Sequence, residues 1–222
     1  MGKGLFITGT DTDIGKTYVT ALLVKTLREA GYDAGYYKAA ISGADSVAES
    51  DAGFVNHFAG IGEPEDMLLS YLYRNAVSPH LAARIEGHPV EKDVILAAWD
   101  RVAARYPYVT MEGSGGICCP IRHDGTAVYY LEDIVRWLRL PSLIVADAGL
   151  GTINHVVLTA FYMKAKGLPA KGVLLNNWKG GVMEEDNVKM IEEMTGLPVL
   201  AKIRRGDTVI GADPARLAAL YE

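Results

Sequence analysis

Short apolar runs alternate along this chain with longer stretches in which apolar residues recur at helical spacing. This alternation is typical of a parallel β-sheet whose strands are joined by helices. Several runs show little apolar–polar alternation, which indicates strands that are buried on both faces. The pattern therefore predicts a doubly wound α/β fold with a mainly parallel sheet and helices on both faces. The predicted strands are 4–8, 34–38, 108–112, 142–147, 171–176 and 199–203, and the predicted helices are 15–30, 45–59, 91–105, 130–139, 153–166, 184–195 and 214–221.

Composition and charge restrict the class of protein. The chain has 222 residues, of which 50% are hydrophobic and 22% charged, as expected of a single globular domain over residues 1–222. Its net charge of −5 argues against general nucleic-acid binding. The sequence shows neither a membrane-spanning apolar run nor a signal-peptide pattern, and its adjacent Cys118 and Cys119 offer no disulfide framework. We therefore expect a cytoplasmic protein without membrane or nucleic-acid partners.

Polar and glycine-rich segments follow five of the predicted strands. In an open parallel sheet, ligands bind outside the carboxyl ends of the strands. We therefore expect these segments to lie along one edge of the sheet and to carry the functional residues. The five segments are residues 9–17, 38–46, 112–116, 147–155 and 176–181.

The first of these segments, GTDTDIGKT, has the context of a phosphate-binding loop but one residue too many. The common pattern places four residues between its glycines, whereas five separate Gly9 from Gly15. A strand, a glycine-containing turn and GKT at a helix start nevertheless direct backbone N–H groups and the helix dipole at a phosphate. Lys16 would reach the β- and γ-phosphates, and the Thr17 hydroxyl would bind Mg²⁺.

The alternative is an ordinary glycine-rich turn in which Thr12 or Asp13 caps the helix and Lys16 is an exposed lysine. This alternative explains the cap but not the position of GKT directly after a buried strand. A lysine in a first helical turn is electrostatically unfavourable unless an anion lies there. The sequence therefore favours a nucleotide site.

Three carboxylates on the predicted edge, Asp13, Asp51 and Glu112, would suit Mg²⁺, which binds carboxylate oxygens beside phosphates and water. Each also has an ordinary interpretation as a solvated charge or a helix cap. Asp51 lies inside the predicted helix 45–59, where an exposed acid is common. Glu112 ends the apolar strand YVTME, so we expect it to project into the crevice.

Five segments together resemble the dethiobiotin synthetases, and their order and spacing span roughly residues 4–177. The extended loop is this family's own form of the phosphate-binding loop, which accounts for the additional residue. The matching segments are GTDTDIGKT (9–17), YK (37–38) with SG (42–43), SPH (78–80), EGSGG (112–116) and LGTINH (150–155).

The resemblance implies that 7,8-diaminopelargonate, CO₂ and ATP are converted to dethiobiotin, ADP and phosphate with Mg²⁺. An amine takes up CO₂ to form a carbamate, whose oxygen attacks the γ-phosphate. The neighbouring amine then closes the ureido ring and expels phosphate. Such phosphoryl transfer requires mainly positioning and charge neutralisation from the protein.

The resemblance also implies a role for each matching residue. Lys16 and Lys38 would be catalytic and stabilise the carbamate and the transferring phosphoryl group, although a lysine that ends a strand is commonly just a solvated cation. Residues implied to bind Mg²⁺ are Thr17, Asp51 and Glu112. Residues implied to bind ATP are Thr12, Asp13, Ile14, Gly15, Lys16, Thr17, Tyr18 and Asn176, the last at the nucleobase. Residues implied to bind the diamine substrate are Ser42, Gly115, Gly116, Gly151 and Asn154.

In the family, the segment 151–155 reaches the substrate carboxylate from the neighbouring subunit, which implies a homodimer. Without the resemblance, the same segment is an ordinary helix start capped by Thr152 or Asn154. His80 and His155 are interpreted as structural.

This chain departs from the family pattern at Ala39, at Asn177 and in residues 203–214. In the family, the last two places adjoin the nucleobase, so these departures bear on the preference for ATP over other nucleoside triphosphates. A ParA- or MinD-like switch ATPase is the main alternative, but its loop carries an early lysine where this chain has Thr and Asp. A non-catalytic nucleotide-binding regulator would not need Lys38, Asp51 and Glu112 together, and a larger amide-forming synthetase would need a further domain.

Overall fold

The computed structural model describes residues 2–222, which form one seven-stranded sheet, a two-stranded hairpin and connecting helices. The strands are β1 (Lys3–Gly9), β2 (Ala34–Ser42), β3 (Leu69–Tyr73), β4 (Tyr108–Gly116), β5 (Pro120–His123), β6 (Val128–Tyr130), β7 (Ser142–Asp147), β8 (Ala170–Asn176) and β9 (Val199–Lys202). The helices are α1 (Lys16–Glu29), α2 (Asp51–Phe58), α3 (Glu65–Leu68), α4 (Pro79–Glu86), α5 (Lys92–Arg105), α6 (Leu131–Leu138), α7 (Thr152–Ala165), α8 (Val182–Thr195) and α9 (Pro214–Ala218).

The large sheet is parallel throughout and has the strand order β3-β2-β4-β1-β7-β8-β9. β1 therefore lies at the centre, between β4 and β7. The chain first adds β2, β3 and β4 on one side of β1 and then β7, β8 and β9 on the other side. Such a reversal creates a crevice at the carboxyl ends of the strands. The segment that follows β1 opens into this crevice.

Both faces of the sheet are covered, as the pattern of apolar runs predicts. In β2, residues 34–41 are all buried although successive side chains point to opposite faces. β1 is likewise buried from residue 4 to residue 9. Strands of this kind need helices on both sides, which is the doubly wound α/β arrangement. Among residues 2–222, no helix combines the length and apolarity needed to cross a bilayer.

All six predicted strands are confirmed, but two of them continue four residues further than predicted. β2 continues to Ser42, so Lys38 lies within the strand, and β4 continues to Gly116, so EGSGG is part of the strand. The sequence analysis missed the edge strand β3, the β5–β6 hairpin and the short helices α3 and α4. α4 has Pro79 in its first turn and Gly87 at its C-cap, two signals that were available in the sequence.

The predicted helix 45–59 was too long, because α2 begins only at Asp51. The Ser50 side chain caps the helix by accepting a hydrogen bond from the Ala52 N–H group (3.2 Å). Asp51 is thus the first residue of the helix and not an acid on the exposed surface of its middle. The predicted helix 214–221 is also shorter and ends at Ala218.

Candidate active site

The loop after β1 places the start of α1 at the crevice. This helix start has no side-chain cap. Gly15 is the N-cap residue, with a left-handed φ of 79°, and no side chain within residues 2–222 bonds to this helix start. The first turn also lacks an acidic residue. The interpretation of Thr12 or Asp13 as the cap is therefore wrong, and the free N–H groups are available to an anion.

Gly15 is required by the close approach of β8. A Cβ atom at this position would lie 2.2 Å from the side-chain nitrogen of Asn176, besides being strained at this φ. Asn176 uses that nitrogen to donate a hydrogen bond to the Ile14 carbonyl (2.8 Å). The last residue of β8 thus holds the loop in position. Its Oδ1 is buried and has no hydrogen-bond partner in the described part of the chain.

An ion-pair network lies beside the loop, buried at Lys38 and Glu112 and partly exposed at Asp51. The Lys38 ammonium contacts Asp51 Oδ2 at 2.5 Å and Glu112 Oε1 at 2.8 Å. The Thr17 hydroxyl donates to the same Glu112 oxygen at 2.8 Å, and the Tyr36 hydroxyl donates to the other, Oε2, at 3.1 Å. Lys38 is 3% and Glu112 1% exposed, so neither is a solvated surface charge.

Strand register explains why these groups meet. Lys38 on β2 is directly opposite Glu112 on β4, and Tyr36 is opposite Thr110. Because side chains alternate along a strand, Tyr36 and Lys38 point to the same face of the sheet. The uncapped start of α1 and the first residue of α2 then add Thr17 and Asp51 to this cluster.

The charges in the cluster shift one another's pKa values. Burial disfavours the charge on Lys38, but Glu112 and Asp51 outweigh this effect and raise the pKa of Lys38 above its ordinary value. Burial likewise opposes ionisation of Asp51, but Lys38 lowers the Asp51 pKa overall. Burial lowers the pKa of Lys16; Glu112 opposes that shift, whereas the positive charge of Lys38 reinforces it. Lys16 is only 8% exposed, so its interpretation as a surface lysine is wrong.

The donor set around the network fits Mg²⁺ bound together with a nucleotide. Thr17, Asp51 and Glu112 supply one hydroxyl and two carboxylates, all hard oxygen ligands. Within residues 2–222, no group of three His, Cys, Asp or Glu side chains is arranged to hold a metal ion. Mg²⁺ with nucleotides needs no such cage, because phosphates and water complete its coordination.

A cleft of about 750 Å³ opens beside the network. Nine of the residues singled out from the sequence line it: Thr12, Asp13, Gly15, Lys16, Thr17, Lys38, Ser42, Asp51 and Gly115.

The other predicted site residues lie outside this lining. Glu112 is buried behind it, and Gly116 lines a second cavity of about 640 Å³. Tyr18 donates its hydroxyl hydrogen to the Asp207 carbonyl, outside the cleft. Gly151 and Asn154 are exposed at the start of α7.

The fold also brings to the cleft several residues to which the sequence analysis gave no role. Val77 and Ser78, just before α4, line it opposite the loop, and the Ser42 hydroxyl donates to the Val77 carbonyl at 2.6 Å. Cys119 lines both cavities, and burial raises its pKa to about 11, so its thiol stays neutral. The matched segment SPH pointed to Ser78, whereas no signal marked Cys119 beyond its place after EGSGG.

Comparison with solved structures identifies the fold. The septum site-determining protein MinD complexed with Mg-ADP from Pyrococcus horikoshii OT3 has a TM-score of 0.56 and 17% identity, covering 99% of this chain and 86% of that one. A ParA family ATPase from Chlorobium tepidum TLS has a TM-score of 0.53 and 14% identity, covering 93% and 84%. The family profile described as an AAA domain matches residues 3–212. The chain is therefore an α/β protein of the P-loop nucleotide-binding class.

Sequence relatives narrow this class. The ATP-dependent dethiobiotin synthetase BioD of Brachyspira hyodysenteriae is 47% identical over 100% of both chains. The enzyme of the same name from Clostridium kluyveri is 44% identical over 92% of this chain and 86% of its own length. This chain belongs to the ATP-dependent dethiobiotin synthetases, a family of ligases that form a carbon–nitrogen bond. The resemblance stated from five sequence segments is confirmed, and the likeness to MinD and ParA is one of fold alone.

Proposed function

We propose that the cleft beside the loop is the site at which this ligase converts 7,8-diaminopelargonate, CO₂ and ATP to dethiobiotin. The observation that carries this proposal is the meeting of Lys38, Glu112 and Asp51 next to an uncapped helix start that also bears Lys16 and Thr17. A buried cation, two carboxylates and free N–H groups together match a phosphoryl-transfer reaction with anionic intermediates.

Lys16 and Lys38 have separate roles in this proposal. Lys16, in the first turn of α1, binds the β- and γ-phosphates of ATP, where the helix dipole also acts. Lys38 approaches from β2 and stabilises the carbamate as its oxygen attacks the γ-phosphorus and ADP leaves. The second amine then attacks the carbamate carbon, closes the ring and releases phosphate.

Thr17, Asp51 and Glu112 would hold Mg²⁺, which neutralises charge on the phosphates when bound. Lys38 already bridges both carboxylates in the free protein. Lys38 therefore holds the two carboxylates close together and lowers the pKa of Asp51.

Asn176 is proposed to read the nucleobase. Its amide nitrogen donates a hydrogen bond to the Ile14 carbonyl. The buried Oδ1 is therefore left to accept a hydrogen bond from an amino group of the base. Adenine and cytosine offer such a group at the corresponding edge, so ATP and CTP are the nucleotides to compare. Thr12, Asp13, Ile14, Gly15 and Tyr18 belong to the same nucleotide-binding segment.

The diamine is proposed to lie along Ser42, Gly115 and Gly116, with its carboxylate at Gly151 and Asn154 of a second subunit. Gly151 and Asn154 are exposed and do not line the cleft of their own subunit, which agrees with a role in a partner's site. An apolar face on α7, formed by Leu158 and Phe161, borders the cavity that contains Gly116. A homodimer formed through this face would join two sites; a cytoplasmic location stays a prediction.

The deciding experiment is to measure phosphate release from ATP, Mg²⁺ and bicarbonate with and without 7,8-diaminopelargonate. We expect release to depend on the diamine and to match the dethiobiotin formed. Release that is indifferent to the diamine would instead indicate a switch-type ATPase. Replacing ATP by CTP or GTP in the same assay measures the nucleotide preference.

A further inference from the structure

Tyr36 is a fully buried residue for which neither the phosphate-binding loop nor the proposed reaction provides a role. It lies on β2 two residues before Lys38, on the same face of the sheet, and is 1% exposed. Its hydroxyl hydrogen bond to Glu112 Oε2 (3.1 Å) connects it to the ion-pair network. No signal in the sequence distinguished it from a core aromatic residue.

The two oxygens of Glu112 have different partners. Oε1 accepts hydrogen bonds from Thr17 and Lys38, both at 2.8 Å, and therefore faces the loop and the cleft. Oε2 accepts the hydrogen bond of Tyr36, which does not line the cleft. Because Glu112 is almost completely buried, water cannot readily replace that donor. The Tyr36 hydroxyl thus determines which oxygen is presented to the cleft.

We propose that Tyr36 is a positioning residue that fixes the Glu112 carboxylate for Mg²⁺ coordination. This inference rests on the proposed role of Glu112 as a metal ligand. Hydrogen-bond partners of metal ligands restrict ligand orientation, and their loss commonly weakens metal affinity by about 10- to 100-fold. Without the hydroxyl, Oε2 would be buried without a donor, and the carboxylate would no longer be held in one orientation.

Tyr37 provides a matched control within the same strand. It is as deeply buried as Tyr36, but it points to the opposite face, where its hydroxyl pairs with Ser70 Oγ at 2.6 Å. Tyr36→Phe and Tyr37→Phe therefore remove the same group from equally buried surroundings on the same strand. They differ in that only the first changes the environment of Glu112.

The test is a Mg²⁺ titration of nucleotide binding, measured by calorimetry with ATP and without turnover. For Tyr36→Phe we expect the Mg²⁺ concentration for half-maximal ATP binding to rise about tenfold. ATP affinity in EDTA should match that of the wild type, and Tyr37→Phe should resemble the wild type in both measurements. Equal Mg²⁺ dependence in the two variants would overturn the inference.

Glu112→Gln separates failure of this inference from failure of the proposed metal site. If Glu112→Gln retains the wild-type Mg²⁺ dependence, Glu112 is not a metal ligand and both proposals fail. If Glu112→Gln weakens Mg²⁺ dependence and Tyr36→Phe does not, only the role of Tyr36 fails. In the double variant Tyr36→Phe/Glu112→Gln, the Mg²⁺ dependence of ATP binding should equal that of Glu112→Gln alone. Glu112→Gln also removes the buried negative charge that loses its donor in Tyr36→Phe. The double variant therefore covers the case in which Tyr36→Phe folds poorly.

Discussion

Lys38 shows how a single buried charge can define a site. An ammonium group with so little exposure is tolerated only where opposite charges and hydrogen bonds replace its water, and Glu112 and Asp51 supply both. The arrangement is costly for a structural role alone, since apolar residues of similar volume would fill the same space at least as well. The network is therefore best explained by the chemistry that it supports.

Replacing Lys38 by methionine tests this explanation. We expect the catalytic rate constant for dethiobiotin formation to fall at least about 100-fold, because charge stabilisation in the transition state is lost. Lys25, which is half-buried on α1 and pairs with Glu29, offers a control in Lys25→Met, for which we expect nearly unchanged turnover. Circular dichroism would verify that both variants are folded. Near-normal turnover in Lys38→Met would remove Lys38 from the mechanism.

Among the residues of the network, the sequence predicted those with recognisable chemistry. Lys38 and Glu112 each ended a predicted strand and Thr17 lay in the first turn of a predicted helix, positions that the topology of parallel sheets directs to one edge. Tyr36 and Cys119 could not be predicted in the same way. Their roles depend on strand register and on a turn, and both residue types are ordinary in a buried core.

The start of α2 is an element whose exact position matters for the site. Ser50 accepts a hydrogen bond from the Ala52 N–H group and donates its own hydroxyl to the Val47 carbonyl at 2.7 Å. Gly53 allows this close packing, since a Cβ there would lie 2.3 Å from the Ala48 carbonyl. The helix therefore begins at Asp51, beside Lys38, and not six residues earlier as periodicity alone predicted.

Loss of this cap should destabilise the protein measurably. We expect Ser50→Ala to lower the free energy of unfolding by about 1 kcal/mol, the typical effect of losing a serine cap. Urea denaturation followed by circular dichroism measures the change. Ser46→Ala, in the same loop, removes a half-buried hydroxyl whose two hydrogen bonds to Glu49 are exposed to solvent, and should change the free energy by less than about 0.5 kcal/mol. Equal effects of the two changes would argue against the capping role.

Elements with strong local signals were predictable, and those defined by long-range pairing were not. All six predicted strands exist, because apolar runs between turn residues indicate strands that are largely buried; only β9, at the edge of the sheet, is mostly half-buried. β3 is an edge strand with three half-buried residues in its middle, so its run of LSYLY gave a weaker signal. The order of the strands in the sheet could not be derived from local pattern at all.

At the scale of the whole molecule, the main feature is an apolar face on α7 that no other part of the described chain covers. Leu158 is 60% and Phe161 71% exposed, and both line the cavity next to the loop. Apolar side chains grouped in this way are commonly covered by a partner. A second copy of the chain is the partner proposed above.

Charge placed in this face should prevent dimerisation. We expect Phe161→Glu to shift the protein from dimer to monomer in sedimentation velocity and to weaken binding of 7,8-diaminopelargonate. ATP binding should change little, since Phe161 does not line the nucleotide cleft. Ile85→Glu, at a similarly exposed apolar residue on α4, should remain dimeric. A wild-type monomer that binds the diamine tightly would contradict the proposed shared site.

The central place of β1 also affects how the chain is made. Lys3 pairs in register with Tyr108, and Gly9 pairs with Val145, so both neighbours of the first strand emerge from the ribosome long after it. Parallel pairing between such distant segments is intrinsically slow to form. The strand that carries the phosphate-binding loop has no neighbour until β4, at residues 108–116 of the 222, has been synthesised. The nascent polypeptide therefore acquires its central strand and its nucleotide-binding loop in the same late event.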